Sequence, residues 1–409
     1  MLPTSQTQRL WRFLVPTLVV SLLSLLSLTG LAAAAGKPYR IYVTSPRYCS
    51  AIKGNTTIDV AARGFKQVTA KCWQQGPGFG HNSTVATVKL THGHGSFVFP
   101  ADKYPNGPVT VFISAARGGH KDICYLQLFN KGGVVWDQGL PKSAPPGAKG
   151  MKLIFADDFT GPLSIGPKDK DTFYDHKPPH GVQDFSWPLR FTNFSSPHNP
   201  FKQVGTWLRI RADQHTESTG LISSVHSNGK GITARVPCYF ECRFIAPNAP
   251  GAWPAFWLLT DNLAVKPSPT PGDELDIFEG YGGNGPHHPN PGDGFMITPH
   301  CWNYPNNRAI WAIHAVFPYP HVCLPEKFGI PCTWYQTFNT YGCRITARTV
   351  TYYVDNIPVG HHPTPPMSKK LPLYFLINLA TGGGWPVNLS RYDGLADMYV
   401  DWVRVYGRK

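Results

Sequence analysis

The chain has 409 residues, a formal net charge of +14, 40 Gly, 40 Pro, 13% aromatic residues and only 15% charged ones. That length exceeds what one small core needs and predicts two domains, and the Gly, Pro and aromatic content suits a turn-rich all-β protein. Lys and Arg are scattered, with no basic run, no Arg-rich helix and no zinc-finger spacing, which argues against a nucleic acid partner.

The first residues carry Arg9 and Arg12, then an apolar run from Phe13 to Leu31, then Ala33-Ala34-Ala35 before Gly36. This pattern predicts a secretory signal peptide over residues 1–35 and a protein that works outside the cytoplasm, secreted or periplasmic. An uncleaved membrane anchor is the alternative; no later stretch is long and apolar enough to span a bilayer. The nine cysteines all follow this segment, and in an exported chain they favour disulfides over metal sites, with one left over. Cys238 and Cys242 lie four residues apart on one strand, too far to bridge each other.

Residues 36–137 read as short strands between turns: Arg40–Thr44, Thr57–Ala62, Val68–Cys72, Val85–Leu90, Gly95–Val98, Val109–Ala115 and Cys124–Phe129. Seven strands at that spacing predict a small immunoglobulin-like β-sandwich, an accessory module or plain scaffold, since it holds no acid pair or nucleophile. Pro141, Pro145, Pro146 and Gly147 mark residues 138–150 as a linker. From residue 151 on, strands resume at Leu153–Phe159, a Pro- and His-rich loop region runs from Leu163 to Pro200, and further strands follow to the end. Three histidine pairs, His92/His94, His287-His288 and His361-His362, sit among Gly and Pro without metal-site spacing and read as solvated loop residues.

The chemistry concentrates in Glu274-Leu275-Asp276-Ile277-Phe278-Glu279. The period of two along a strand puts Glu274 and Asp276 on one face and Leu275 and Ile277 on the other. Strict alternation would then send Glu279 into the core. One inserted residue, a β-bulge around Ile277–Phe278, returns it to the acidic face. Three carboxylates on one face are costly unless used, and a pair with split pKa values is what retaining glycoside hydrolysis needs. Gly251 to Leu259, with Trp253 and Trp257, lies upstream, and aromatic rings are what a sugar stacks on. The plainer alternative is a solvated acidic edge strand.

Gly251-Ala252-Trp253-Pro254-Ala255-Phe256-Trp257-Leu258-Leu259 followed by Glu274-Leu275-Asp276-Ile277-Phe278-Glu279 resembles glycoside hydrolase family 16, in its bulged, laminarinase-like branch. Tyr239-Phe240-Glu241-Cys242-Arg243, Leu376 to Pro386, and Tyr399 to Tyr406 resemble further family segments, so the likeness covers roughly residues 150–409. It implies a concanavalin-like jelly-roll catalytic domain over 151–409. Glu274 is then the nucleophile, Glu279 the general acid and base, and Asp276 the group that tunes Glu274. Trp253, Trp257 and Trp385 become candidate sugar platforms, against the alternative of buried core rings, and Asn378 a cleft residue. Asn339 stands where the family usually has His. Glu241 and Arg243 read as a structural ion pair. Family members often hold a structural calcium, for which no ligand set is identifiable; no cofactor is required.

Two readings follow. One is a monomeric endo-acting retaining glycosidase on a β-1,3- or β-1,3-1,4-glucan, with galactan cleavage or transglycosylation as variants. The other is a glycan-binding protein without catalysis on the same fold. The intact carboxylate triplet favours the first.

Overall fold

The computed structural model describes residues 39–408, apart from 75–79, 136–138, 180–184, 266–269, 284–293, 305–321, 331–333 and 384. The leader segment and His287-His288 lie outside the described residues. Among the described residues no helix is long and apolar enough to cross a membrane.

The protein is nearly all β. Each of the seven N-terminal strands expected from sequence overlaps an observed strand, the observed ones running up to four residues longer at an end, and a short strand at Ala51–Ile52 is additional. Asn55–Arg63 lies between Arg40–Ser45 and His94–Pro100 in a three-stranded sheet. A five-stranded sheet runs Ala51–Ile52, His120–Asn130, Gly107–Arg117, Gln67–Gln74, His81–Lys89. Alternation turns Ile58, Val60 and Ala62 inward from the first sheet, and Val68, Ala70 and Cys72 inward from the second.

The rest forms a jelly-roll-like sandwich. One layer runs Val322–Cys323, Phe295–Trp302, Gly272–Glu279, Ala252–Thr260, Leu373–Thr381, Ser218–Ser223. The other runs Trp207–Asp213, Leu395–Gly407, Cys238–Ile245, Asn339–Ile345, Thr349–Val354, Ile357–Pro363. The layers join where Asp213 pairs Ser218. Aromatic rings fill the space between them: Phe278 meets Phe244 at 5.0 Å and Tyr341 at 4.6 Å, and Phe240 meets Phe375 at 6.5 Å. Such edge and tilted contacts add to the apolar area that drives the layers together. Asp355 and Asn356, at φ 47 and 66, form a hairpin turn joining strands paired at Val354 and Ile357.

Three sequence readings are corrected here. Glu241 and Arg243 do not pair with each other: residues i and i+2 on one strand face share a side, and each takes a partner from the closing strand. Arg404 donates to Glu241 Oε1 at 2.5 Å, and Arg243 pairs with Asp401. His362 is buried, and its Nε2 lies 2.9 Å from the Tyr352 hydroxyl, because strand alternation turns it inward. Finally, all eight described cysteines are free, seven of them buried. Burial above all lifts the Cys301 and Cys323 thiols to about 12, where the thiolate needed for exchange is scarce.

Residues 39–130 pack directly on the jelly roll. Arg391 donates to both oxygens of Asp122, at 3.2 and 3.0 Å, and to the Ile41 carbonyl at 2.6 Å. Gln127 exchanges hydrogen bonds with the Asp397 backbone, and Tyr125 meets Tyr335 at 5.2 Å. The Pro-rich connection is also held: Arg404 donates to the carbonyls of Pro141 and Ser143, and Arg344 to that of Gly147.

Candidate active site

The strand Gly272–Glu279 lies between Ala252–Thr260 and Phe295–Trp302, so its side chains are positioned from both sides. Against the first neighbour, Trp257 pairs Asp276 while Phe256 pairs Phe278, leaving Ile277 as an extra residue. Against the second, Asp276 pairs Thr298 and Glu279 pairs Met296, three positions against two. The ladder therefore carries the one-residue bulge that the spacing required. Leu275, Ile277 and Phe278 are buried in the core. Glu274, Asp276 and Glu279 together line a cleft of about 380 Å³.

Lys177, Phe185, Trp253, Trp257, His300, Trp302 and Asn378 complete much of its wall. Of the residues singled out from sequence, Trp385 does not line this cleft, and Asn339 does not either. Asn339 is buried at a strand entry and donates to Asp355 at 2.8 Å. Trp257 is 5% exposed and donates its indole N–H to Asn378 Oδ1 at 2.8 Å, so it is a fixed wall of the site. Trp302 is 44% exposed, and its ring stacks on His300 at 5.2 Å.

Each glutamate has its own partners. Glu274 accepts from the Trp302 indole at 2.9 Å and has the His300 ring nitrogen 3.9 Å away. Glu279 accepts from the Trp253 indole at 2.8 Å and from the Tyr281 hydroxyl at 2.9 Å, both on Oε1. Tyr281 is held there because Gly282 backs onto the Ala249 carbonyl, where any β-carbon would clash, and donates to Ala252. Asp276 Oδ2 is 3.2 Å from His300 Nε2.

These surroundings shift protons. Burial pushes Glu279 above its ordinary value; the Tyr281 and Trp253 donors pull it back in part, and the charge of Glu274 adds to the rise. Burial and then Glu274 push Asp276 up strongly, against the pull of His300. Burial lowers His300, but its hydrogen bond to Asp276 and the charges of Asp276, Glu274 and Glu279 outweigh this and lift it to about 9. The contact with Asp276 thus favours the protonated form of the His300 imidazole. Lys177 is lowered by burial, with Glu274 opposing.

His300 and Trp302 were not singled out from sequence. The signal was present: His300 and Trp302 share a face of their strand, and Glu274 is the cross-strand partner of His300, but that pairing is set only by register. Glu274, Asp276 and His300 also bring three ligand-type atoms within 4.8 Å of one another. One imidazole and two carboxylates do not supply the all-oxygen shell of a calcium site, so the calcium implied by family likeness does not fit here.

No family model matches the chain. Over 214 residues, 51% of the chain, it is 28% identical to the endo-1,3-1,4-beta-glycanase EglC of Rhizobium meliloti, covering 40% of that protein. Over 171 residues, 41% of the chain, it is 28% identical to the endo-1,3-1,4-beta-glycanase ExsH of the same organism, covering 30% of it. The matched part spans less than half the length of these curated relatives. Among solved structures, a laminarinase from Flavobacterium sp. UMI-01 superposes with TM-score 0.45 at 21% identity, over 62% of this chain and 100% of that one. The chain resembles the endo-β-glycanases of glycoside hydrolase family 16, the family its own motifs indicated.

Proposed function

We propose that this protein is an exported, endo-acting retaining glycoside hydrolase that cleaves β-1,3 or β-1,3-1,4 linkages of a β-glucan. The observation that carries the reading is the bulged acidic strand, which delivers Glu274 and Glu279 to one aromatic-walled cleft with different partners. Similarity to the two Rhizobium glycanases supports the linkage class.

In this reading Glu274 attacks the anomeric carbon and forms a glycosyl-enzyme. Glu279, whose pKa burial raises, gives its proton to the leaving oxygen and then takes one from the attacking water. Asp276, joined to His300, holds a proton beside Glu274 and limits repulsion among the three acids. Trp253 and Trp302 stack the sugar rings, while Trp257 fixes Asn378 at the cleft floor. Residues 1–35 act as the signal peptide, 36–137 as an accessory immunoglobulin-like module, 138–150 as its linker and 151–409 as the catalytic domain of a monomer without a required cofactor.

The test is reducing-sugar release from laminarin, lichenan and mixed-linkage glucan by wild type, Glu274→Gln and Glu279→Gln. Release by wild type that falls about a thousandfold or more in both variants, with glycan binding retained, is the expected result. Undiminished release by Glu279→Gln would overturn the assignment of the acid. Binding without release in wild type would make the protein a lectin.

A further inference from the structure

The positive charge of this protein is unevenly held. Residues 39–130 carry ten Lys and Arg against Asp59, Asp102 and Asp122, a net +7, whereas residues 151–409 carry 22 against 20. Along the sequence these cations are scattered. The fold collects five of them at one end of the N-terminal module.

That end is built by three turns. Arg63 closes one strand and Lys66 precedes the next; the Lys66 carbonyl accepts from Leu90 N at 2.8 Å, and Gln67 pairs Lys89. The turn at His92-Gly93 docks on the first, with Ala62 N donating to Gly93 O at 2.8 Å. The Gly118-Gly119 turn joins Arg117 to His120, and Arg117 Nη1 reaches the Gly64 carbonyl at 2.9 Å. Lys121 follows, opposite Ala116. Arg63, Lys66, Lys89, Arg117 and Lys121 are all exposed.

The module's carboxylates do not offset them. Asp122 is taken up by Arg391 and by the Ile41 N–H, Asp59 accepts from Ser96, and Asp102 lies beyond Pro100, at the opposite end of the strand that begins at His94. Five like charges without local counter-charge cost free energy in the isolated protein, and a polyanion relieves it.

We propose that this end of the module is a docking surface for a polyanionic polysaccharide bearing carboxylate or sulfate groups. Among the described residues, the exposed large hydrophobics of the module, Tyr42 and Val98, are not in the cluster, so nothing there inserts into a lipid bilayer. The cations flank short turns at strand ends and form a spread of point charges that suits a flexible linear chain. Because the module is joined to the jelly roll through Asp122 and Arg391, docking holds the cleft beside the same matrix. The surface is independent of whether the cleft cleaves.

The experiment compares the full chain with its Lys66→Glu/Lys89→Glu/Lys121→Glu variant. Binding to polygalacturonate, dextran sulfate and neutral dextran is measured at about 50 mM and about 500 mM salt, which spans strong and weak screening. Wild type should bind at least one polyanion at low salt, lose it at high salt and ignore neutral dextran. The variant should bind about tenfold or more weakly with an unchanged melting temperature. The preferred polymer assigns the group as carboxylate or sulfate. Equal binding by the variant, binding to neither polyanion, or tighter binding to duplex DNA or phosphatidylglycerol vesicles overturns the proposal.

Discussion

Trp253 donates its indole N–H to Oε1 of Glu279 at 2.8 Å, and the same oxygen accepts the Tyr281 hydroxyl. Two donors on one oxygen stabilise the charged form, so they limit the rise that burial imposes on Glu279. Removing one should raise the pKa further. Tyr281→Phe is expected to move the alkaline limb of kcat/KM to higher pH by about half a unit or more, with kcat at the optimum within about tenfold. A pH–rate profile on soluble glucan checks this; an unmoved limb would show that Tyr281 does not tune the acid.

His300 makes a second pH prediction. Its imidazole rises from 6.5 to about 9 in the folded protein. A folded value above the unfolded one contributes stability that is fully present below about 6.5 and is lost as pH rises through about 9. Over that window wild type should lose on the order of 2–3 kcal/mol that His300→Gln does not lose. Urea titrations of both proteins at several pH values measure it, and parallel pH dependence would contradict the account.

The bulge can be tested by removing it. Deleting Ile277 leaves Glu274-Leu275-Asp276-Phe278-Glu279, a strictly alternating run that keeps the three acids on one face and Leu275 and Phe278 on the other. The deletion should retain glucan hydrolysis and cost on the order of 2–5 kcal/mol for the buried side chain it removes, and complete loss of activity in a folded protein would contradict the account. Ile277→Val keeps the bulge and should cost about 1 kcal/mol with activity retained. Thermal melts and glucan assays on the pair separate loss of the bulge from loss of packing.

Asp122 and Arg391 link the N-terminal module to the jelly roll with side chains 17% and 8% exposed. Breaking a buried pair leaves one charge uncompensated, so Asp122→Asn should cost about 3 kcal/mol. The Asp122→Asn/Arg391→Gln double variant should cost less than the two single changes added together. Urea unfolding followed by tryptophan fluorescence reads both. Separate transitions in the single variant would show the module coming away from the jelly roll first.

Much of this protein was readable from its residues. Alternating apolar positions placed seven N-terminal strands, with ends out by up to four residues, because strand period and turn chemistry are local. The run from Glu274 to Glu279 demanded its own bulge, since three acids and three apolar residues can each find their proper side only with one inserted residue. Other features depended on which strands became neighbours. His300 meets Asp276, Trp302 meets Glu274, and Glu241 turns to Arg404 because register brings residues from distant segments to one level of the sheet. The basic end of the module is of the same kind, scattered along the chain and gathered by three turns. A sequence determines by itself what period and local conformation dictate. Cross-strand partners, the burial that raises Glu279 and the neighbouring acids that raise His300 were decided only by the tertiary fold, because a hydrogen bond or a charge acts through distance in space and not through separation along the chain.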